Sequence, residues 1–158
     1  MNPEPAPDDA ARATRADRLA RLARLVEEFH ALPATSDRRR EIVARLDDDC
    51  GNADVVAFLT TVVADPQEYD LARTEAATLL RLWPPADLDL RHRAGRALLA
   101  ALNDPEEDLV RQYAAMALGP YASGDPAVTE ALIAAGGSEE DPIVQACARS
   151  ALKEAGNT

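Results

Sequence analysis

A chain of 158 residues, 47% hydrophobic and 28% charged, has enough apolar material for one ordinary domain with a real core. Only 4% of residues are aromatic; a core rich in Ala and Leu instead argues against a sheet-rich fold and points to closely approaching helices. The formal net charge of −11 argues against binding to nucleic acid or an anionic membrane, since both require phosphate neutralisation.

Residues 1–7 are polar and hold three prolines, which predicts a disordered tail. The opening stretch also lacks the basic and apolar regions of a signal peptide, giving the expectation of a cytoplasmic protein. Helical periodicity begins at Asp8 or Asp9 and runs to residue 32, with Leu19, Leu22, Val26, Phe29 and Leu32 on one face before Pro33 stops it. On the same segment Arg12, Arg15, Arg18, Arg21 and Arg24 recur every third residue, a row that winds around a helix and suits water or a charge partner within the chain. The leucine spacing also suits a short seam between two chains, so the expectation is a monomer or weak dimer.

Thr35, Ser36 or Asp37 can cap the next helix, which carries Ile42, Val43 and Leu46. Asn52 can cap a third with Val55, Val56, Leu59, Val62 and Val63. Asp65-Pro66 is expected to open a fourth, with Asp as cap and Pro at the first helical position, ending at Trp83-Pro84-Pro85. There Trp83 is expected to plug the junction between two helix pairs. A fifth is expected from Leu88 to Leu102, with Arg91, His92, Arg93 and Arg96 forming a small basic patch. Asp104-Pro105 opens a sixth, stopped by Gly119-Pro120; Asp125-Pro126 opens a seventh, closed by Gly136-Gly137; Asp141-Pro142 opens the last, to about Glu154.

Chemistry-bearing motifs are scarce. Cys50 and Cys147 have no paired spacing and read as reduced thiols, and His30 and His92 have no ligand at metal-site spacing. Asp47-Asp48-Asp49 lacks the loop spacing of a calcium site. Glu106, Glu107 and Asp108, like Glu139, Glu140 and Asp141, suit helix starts, where carboxylates complement the macrodipole. No stretch approaches the ~18 apolar residues of a membrane span. These features give the expectation of no cofactor, no metal and no enzyme activity.

An internal repeat carries more information. Ala72-Arg73-Thr74-Glu75-Ala76-Ala77-Thr78-Leu79-Leu80 and Val110-Arg111-Gln112-Tyr113-Ala114-Ala115-Met116-Ala117-Leu118 lie 38 residues apart and share the Arg, the Ala-Ala pair and the final Leu. Val144–Leu152 follows 34 residues later and keeps Val, one Ala and the closing Ala-Leu, and Arg38–Leu46 is a more distant copy upstream. The run Asp104-Pro105…Val110-Arg111…Ala114-Ala115-x-Ala117-Leu118-Gly119 resembles the HEAT repeat, in the short bacterial form also found in phycobilisome-lyase-like proteins. The resemblance covers roughly residues 36–155. It implies an all-α fold, an α-α superhelix (HEAT-like solenoid) of about three helix pairs with residues 8–32 as N-terminal capping helix. The spacing of Asp65 and the Gln145 that replaces Arg depart from the signature and interrupt the Asp–Arg ladder expected between repeats. By the same resemblance, the helices carrying the signature form a concave layer and those at 53–64, 88–103 and 125–135 a convex one.

Such a stack binds partners through positions on its inner helices that the core leaves free. These are Arg40, Glu41 and Ala44; Thr74, Glu75 and Thr78; Gln112, Tyr113 and Met116; and Ala146, Cys147 and Ser150, with Tyr113 and Met116 as the main anchors. The expected function is a non-enzymatic protein-binding adaptor or scaffold whose partner is another protein. Residues 46–158 hold eight basic against twenty acidic side chains. An inhibitor or immunity protein masking the basic surface of a toxin or nuclease is therefore the sharper alternative. A cofactor-handling protein of the phycobilisome-lyase type is the other, resting on the shared repeat alone.

Overall fold

The computed structural model describes residues 7–156, with side chains from Ala11 onward except Ala13. The described residues are helical with short linkers and contain no strand. In order the helices are α1 (Pro7–Ala31), α2 (Asp37–Ala44), α3 (Ala53–Ala64), α4 (Asp70–Leu82), α5 (Leu88–Leu102), α6 (Asp108–Ala117), α7 (Gly119–Ala122), α8 (Pro126–Ser138) and α9 (Pro142–Gly156), with a 3₁₀ turn at Asp47–Asp49. The tail expected over residues 1–7 lies outside the described residues apart from Pro7, where α1 starts.

The helices alternate between two layers. In the first, α2, α4, α6 and α9 lie side by side in succession; in the second, α3, α5 and α8 do the same. Each α3/α4, α5/α6 and α8/α9 pair bridges the layers, with α1 against α2 at one end and the one-turn α7 wedged against α9. This is the helical-repeat architecture expected: three pairs, with α2 extending the first layer, α7 beside α9, and α1 at the end. The repeated small residues make it possible. Ala72, Ala76 and Ala77 in α4, Ala114, Ala115 and Ala117 in α6, and Ala148 and Ala151 in α9 are all buried, so neighbouring helices approach without a bulky side chain between them. Larger aliphatic side chains fill the rest of the core: Ile42, Leu46, Leu59, Leu98, Leu118, Val128, Leu132 and Val144 are fully buried.

Several boundaries differ from expectation. Asp65 does not open α4. It ends α3, and its carboxylate accepts from the Gln67 N–H at 2.9 Å, so a turn intervenes before α4 begins at Asp70. Asp104 likewise holds the Glu106 and Glu107 N–H groups, each at 3.0 Å, four residues before α6. Asn52, Asp87 and Asp125 are true N-caps, with side chains accepting from the N–H groups of Asp54, Leu90 and Ala127. Gly136 and Gly137 do not close α8, which runs on to Ser138. A Cβ at Gly136 would stand 3.2 Å from Arg149 Cγ, and the Gly136 carbonyl accepts from Arg149 Nε at 2.8 Å; close approach of α9 explains this glycine. On α1 the buried stripe is Leu22, Leu25 and Phe29, while Leu19 is 43% exposed and Val26 half-buried.

Candidate functional site

The first layer is held in register by charged groups at equivalent places in successive repeats. Arg39 in α2 donates to Glu68 at 2.6 Å and to the Leu32 carbonyl at 2.7 Å, with its guanidinium 4.6 Å over the Phe29 ring. Arg73 in α4 donates to Asp104 at 2.7 Å and to the Val63 carbonyl at 3.2 Å. Arg111 in α6 donates to the Asp104 carbonyl at 3.0 Å and approaches Glu139 at 3.7 Å, while its neighbour Gln112 donates to Asp141 at 3.1 Å. In each case a helix of the first layer reaches the linker leading into the next helix of that layer. Gln145, in the register of these arginines, bonds back to the Glu139 carbonyl at 2.5 Å. The interrupted ladder is thus continuous through α6, with Glu68 replacing Asp65 as the first acceptor. Burial alone would raise the Asp104 carboxyl; the Arg73 guanidinium and the Glu106 and Glu107 N–H groups outweigh it and hold the pKa below the usual carboxylate value. Asp141 is held low by the Gln112 amide and the Ile143 N–H.

The face of this layer turned away from α3, α5 and α8 is where the expected binding residues belong. Glu41 is exposed, and Arg40, Ala44, Glu75, Thr78, Gln112, Tyr113, Met116 and Cys147 are half-buried. Thr74 is a correction: it is 6% exposed and its hydroxyl donates to the Leu71 carbonyl at 3.0 Å, so it completes the core and offers nothing to a partner. Arg40 is held by Asp37 at 3.2 Å and Glu41 by Arg38 at 2.9 Å. Tyr113 packs against the core. Met116 instead lines a groove of about 250 Å³ between α4, α6 and α9, with Ile143, Ala146, Cys147 and Ser150. Arg81 and Glu154, 3.2 Å apart, bridge its edge. Of the two anchors expected together, Met116 lines the groove and Tyr113 does not.

No family model, curated protein or solved structure matches the chain.

Sequence reasoning missed Ile143, Arg81 and Glu154. Ile143 is 57% exposed and falls out of phase with the buried Val144, Ala148 and Ala151 of its helix; that apolar residue off the core stripe was the legible signal. Two arginines of the α1 row meet one carboxylate of the chain: Arg21 bonds to the buried Asp49 and Arg18 stands 3.4 Å from it. Of the patch expected around His92, Arg93 and Arg96 are exposed, whereas Arg91 and His92 meet groups of the chain. Arg91 donates to the Pro85 and Pro120 carbonyls and lies 5.4 Å over the Tyr121 ring, and His92 stands 3.6 Å from Asp125. Cys50 is buried, and burial together with Asp47 and Asp49 pushes its thiol up to about 11. Among the described residues no group of three or more His, Cys, Asp or Glu side chains is placed to hold a metal ion, and no helix is long and apolar enough to cross a membrane.

Proposed function

We propose that this chain is a HEAT-like, non-enzymatic protein-binding module whose first-layer face receives the partner. The observation that carries this reading is the groove between α4, α6 and α9. It is lined by Met116 and the exposed Ile143, apolar side chains that lie outside the core, together with Ala146, Cys147 and Ser150. A Met side chain can adapt its shape to a partner, and burying exposed aliphatic surface favours association. The excess of twelve negative charges over residues 46–158 favours a basic partner surface, the inhibitor-like form of the reading.

The test is capture from native lysate, at low and high salt, on the wild type and a Met116→Glu/Ile143→Glu variant. A partner held by the wild type and lost by the folded variant supports the groove, and steep loss with salt supports the basic partner. Equal capture by both forms overturns the reading.

A further inference from the structure

Trp83 does not plug the junction between helix pairs. It stands in the α4–α5 linker with 53% of its surface exposed, flanked by Leu82 and Leu88 at 59% and 79%. Its indole N–H donates to Asp47 Oδ1 at 2.6 Å, which ties the linker to the 3₁₀ turn after α2 and fixes the ring's orientation. A ring held in place yet left in water is pre-organised for contact, since little rotamer freedom remains to be lost on binding.

The ring borders a cleft of about 480 Å³ that is also lined by Val56, Leu82, Pro85, Asp87 and Leu90. No Lys or Arg lines it. Arg91, on the adjoining helix, is engaged with backbone carbonyls and the Tyr121 ring. An indole face attracts cations through its quadrupole. Here two carboxylates, Asp47 and Asp87, add to that attraction, and an apolar cavity lies beside them.

We propose that this cleft is a second docking site, which takes a cationic segment of another protein: an Arg or Lys side chain laid over the Trp83 indole between Asp47 and Asp87, with the neighbouring apolar side chain in the cleft. It lies in the linkers rather than on the face of the first layer, so it stands or falls independently of the groove.

Trp83 is the only tryptophan in the chain, so intrinsic fluorescence reports the site directly. The full chain is titrated with three peptides: acetyl-Arg-Leu-Arg-Leu-amide, its Glu-for-Arg counterpart and a neutral proline-rich peptide. The arginine peptide alone is expected to give a saturable change that weakens as salt rises. Asp47→Asn/Asp87→Asn is the informative variant, because Asn retains an acceptor for the indole and a good cap for α5 while both charges are removed. Its affinity is expected to fall roughly fivefold or more with the helical signal unchanged. Trp83→Ala, followed by calorimetry, is expected to lose the peptide. No saturable change with the arginine peptide, unchanged binding to either variant, or equal binding of the acidic or proline-rich peptide overturns the proposal.

Discussion

Arg73 and Asp104 face each other with side chains only 2% and 5% exposed, and at that depth the cost of desolvating two charges is met by the surrounding bonds. Arg73 also donates to the Val63 carbonyl, and Asp104 also receives two N–H groups. Breaking a buried pair on one side strands the other charge, so Arg73→Met is expected to cost about 3–5 kcal/mol by urea unfolding. Adding Asp104→Asn, which preserves an acceptor for those N–H groups, is expected to restore part of that loss. The same carboxyl sets an acid dependence. Its folded pKa is depressed, so its contribution is present above the unfolded value of about 4 and is lost as pH falls through the folded value. Urea midpoints of the wild type are therefore expected to drop below about pH 4 more steeply than those of Asp104→Asn. Burial raises the pKa of both thiols but separates their labelling: half-buried Cys147 in the groove is expected to react in the native state, and Cys50, 6% exposed, only on unfolding.

Between elements, the small residues decide the spacing. Ala115 is fully buried, and Ala115→Leu is expected to cost about 1–3 kcal/mol by overpacking. Ala57, exposed on α3, is expected to accept Leu within about 0.5 kcal/mol, and thermal unfolding of the two variants checks the contrast. This spacing was legible because Ala-Ala recurs at a fixed place in the repeat, and so were the arginines in register with Arg73. What escaped was set by side chains that redirect the backbone. Asp65 and Asp104 read as helix caps, but their carboxylates close turns that precede the helices by four or five residues. Gly136-Gly137 read as a stop, but the α8 backbone continues where α9 packs closely against it. The groove was half legible: Met116, Ala146, Cys147 and Ser150 were among the expected positions, Ile143 and Glu154 share a helix with the last three, and Arg81 comes to it only through the packing of α4 against α6. Thr74 reads as a free-face position because periodicity alone does not resolve which side of a crossing a residue lies on.

Over the whole molecule, charge is polarised. Residues 1–45 hold nine basic and eight acidic side chains, while the remainder carries the net negative charge. Two of the arginines of α1 are turned onto Asp49 and Arg38 onto Glu28, so the end helix is pinned to its own stack by attraction as well as by Leu22, Leu25 and Phe29. Phe29, 1% exposed beneath Arg39, is expected to cost about 3–5 kcal/mol as Phe29→Ala, the largest apolar loss at that end. The two layers offer different faces, and the proposed binding surface is that of the first. A photoreactive phenylalanine analogue placed singly at Thr78, Met116 or Ser150 in the first layer, and at Ala57, Arg96 or Glu130 in the second, tests this in native lysate. The expected result is one cross-linked partner from the first-layer positions and none from the second. Cross-linking from Ala57, Arg96 and Glu130, with Thr78, Met116 and Ser150 silent, would contradict the assignment of the binding face.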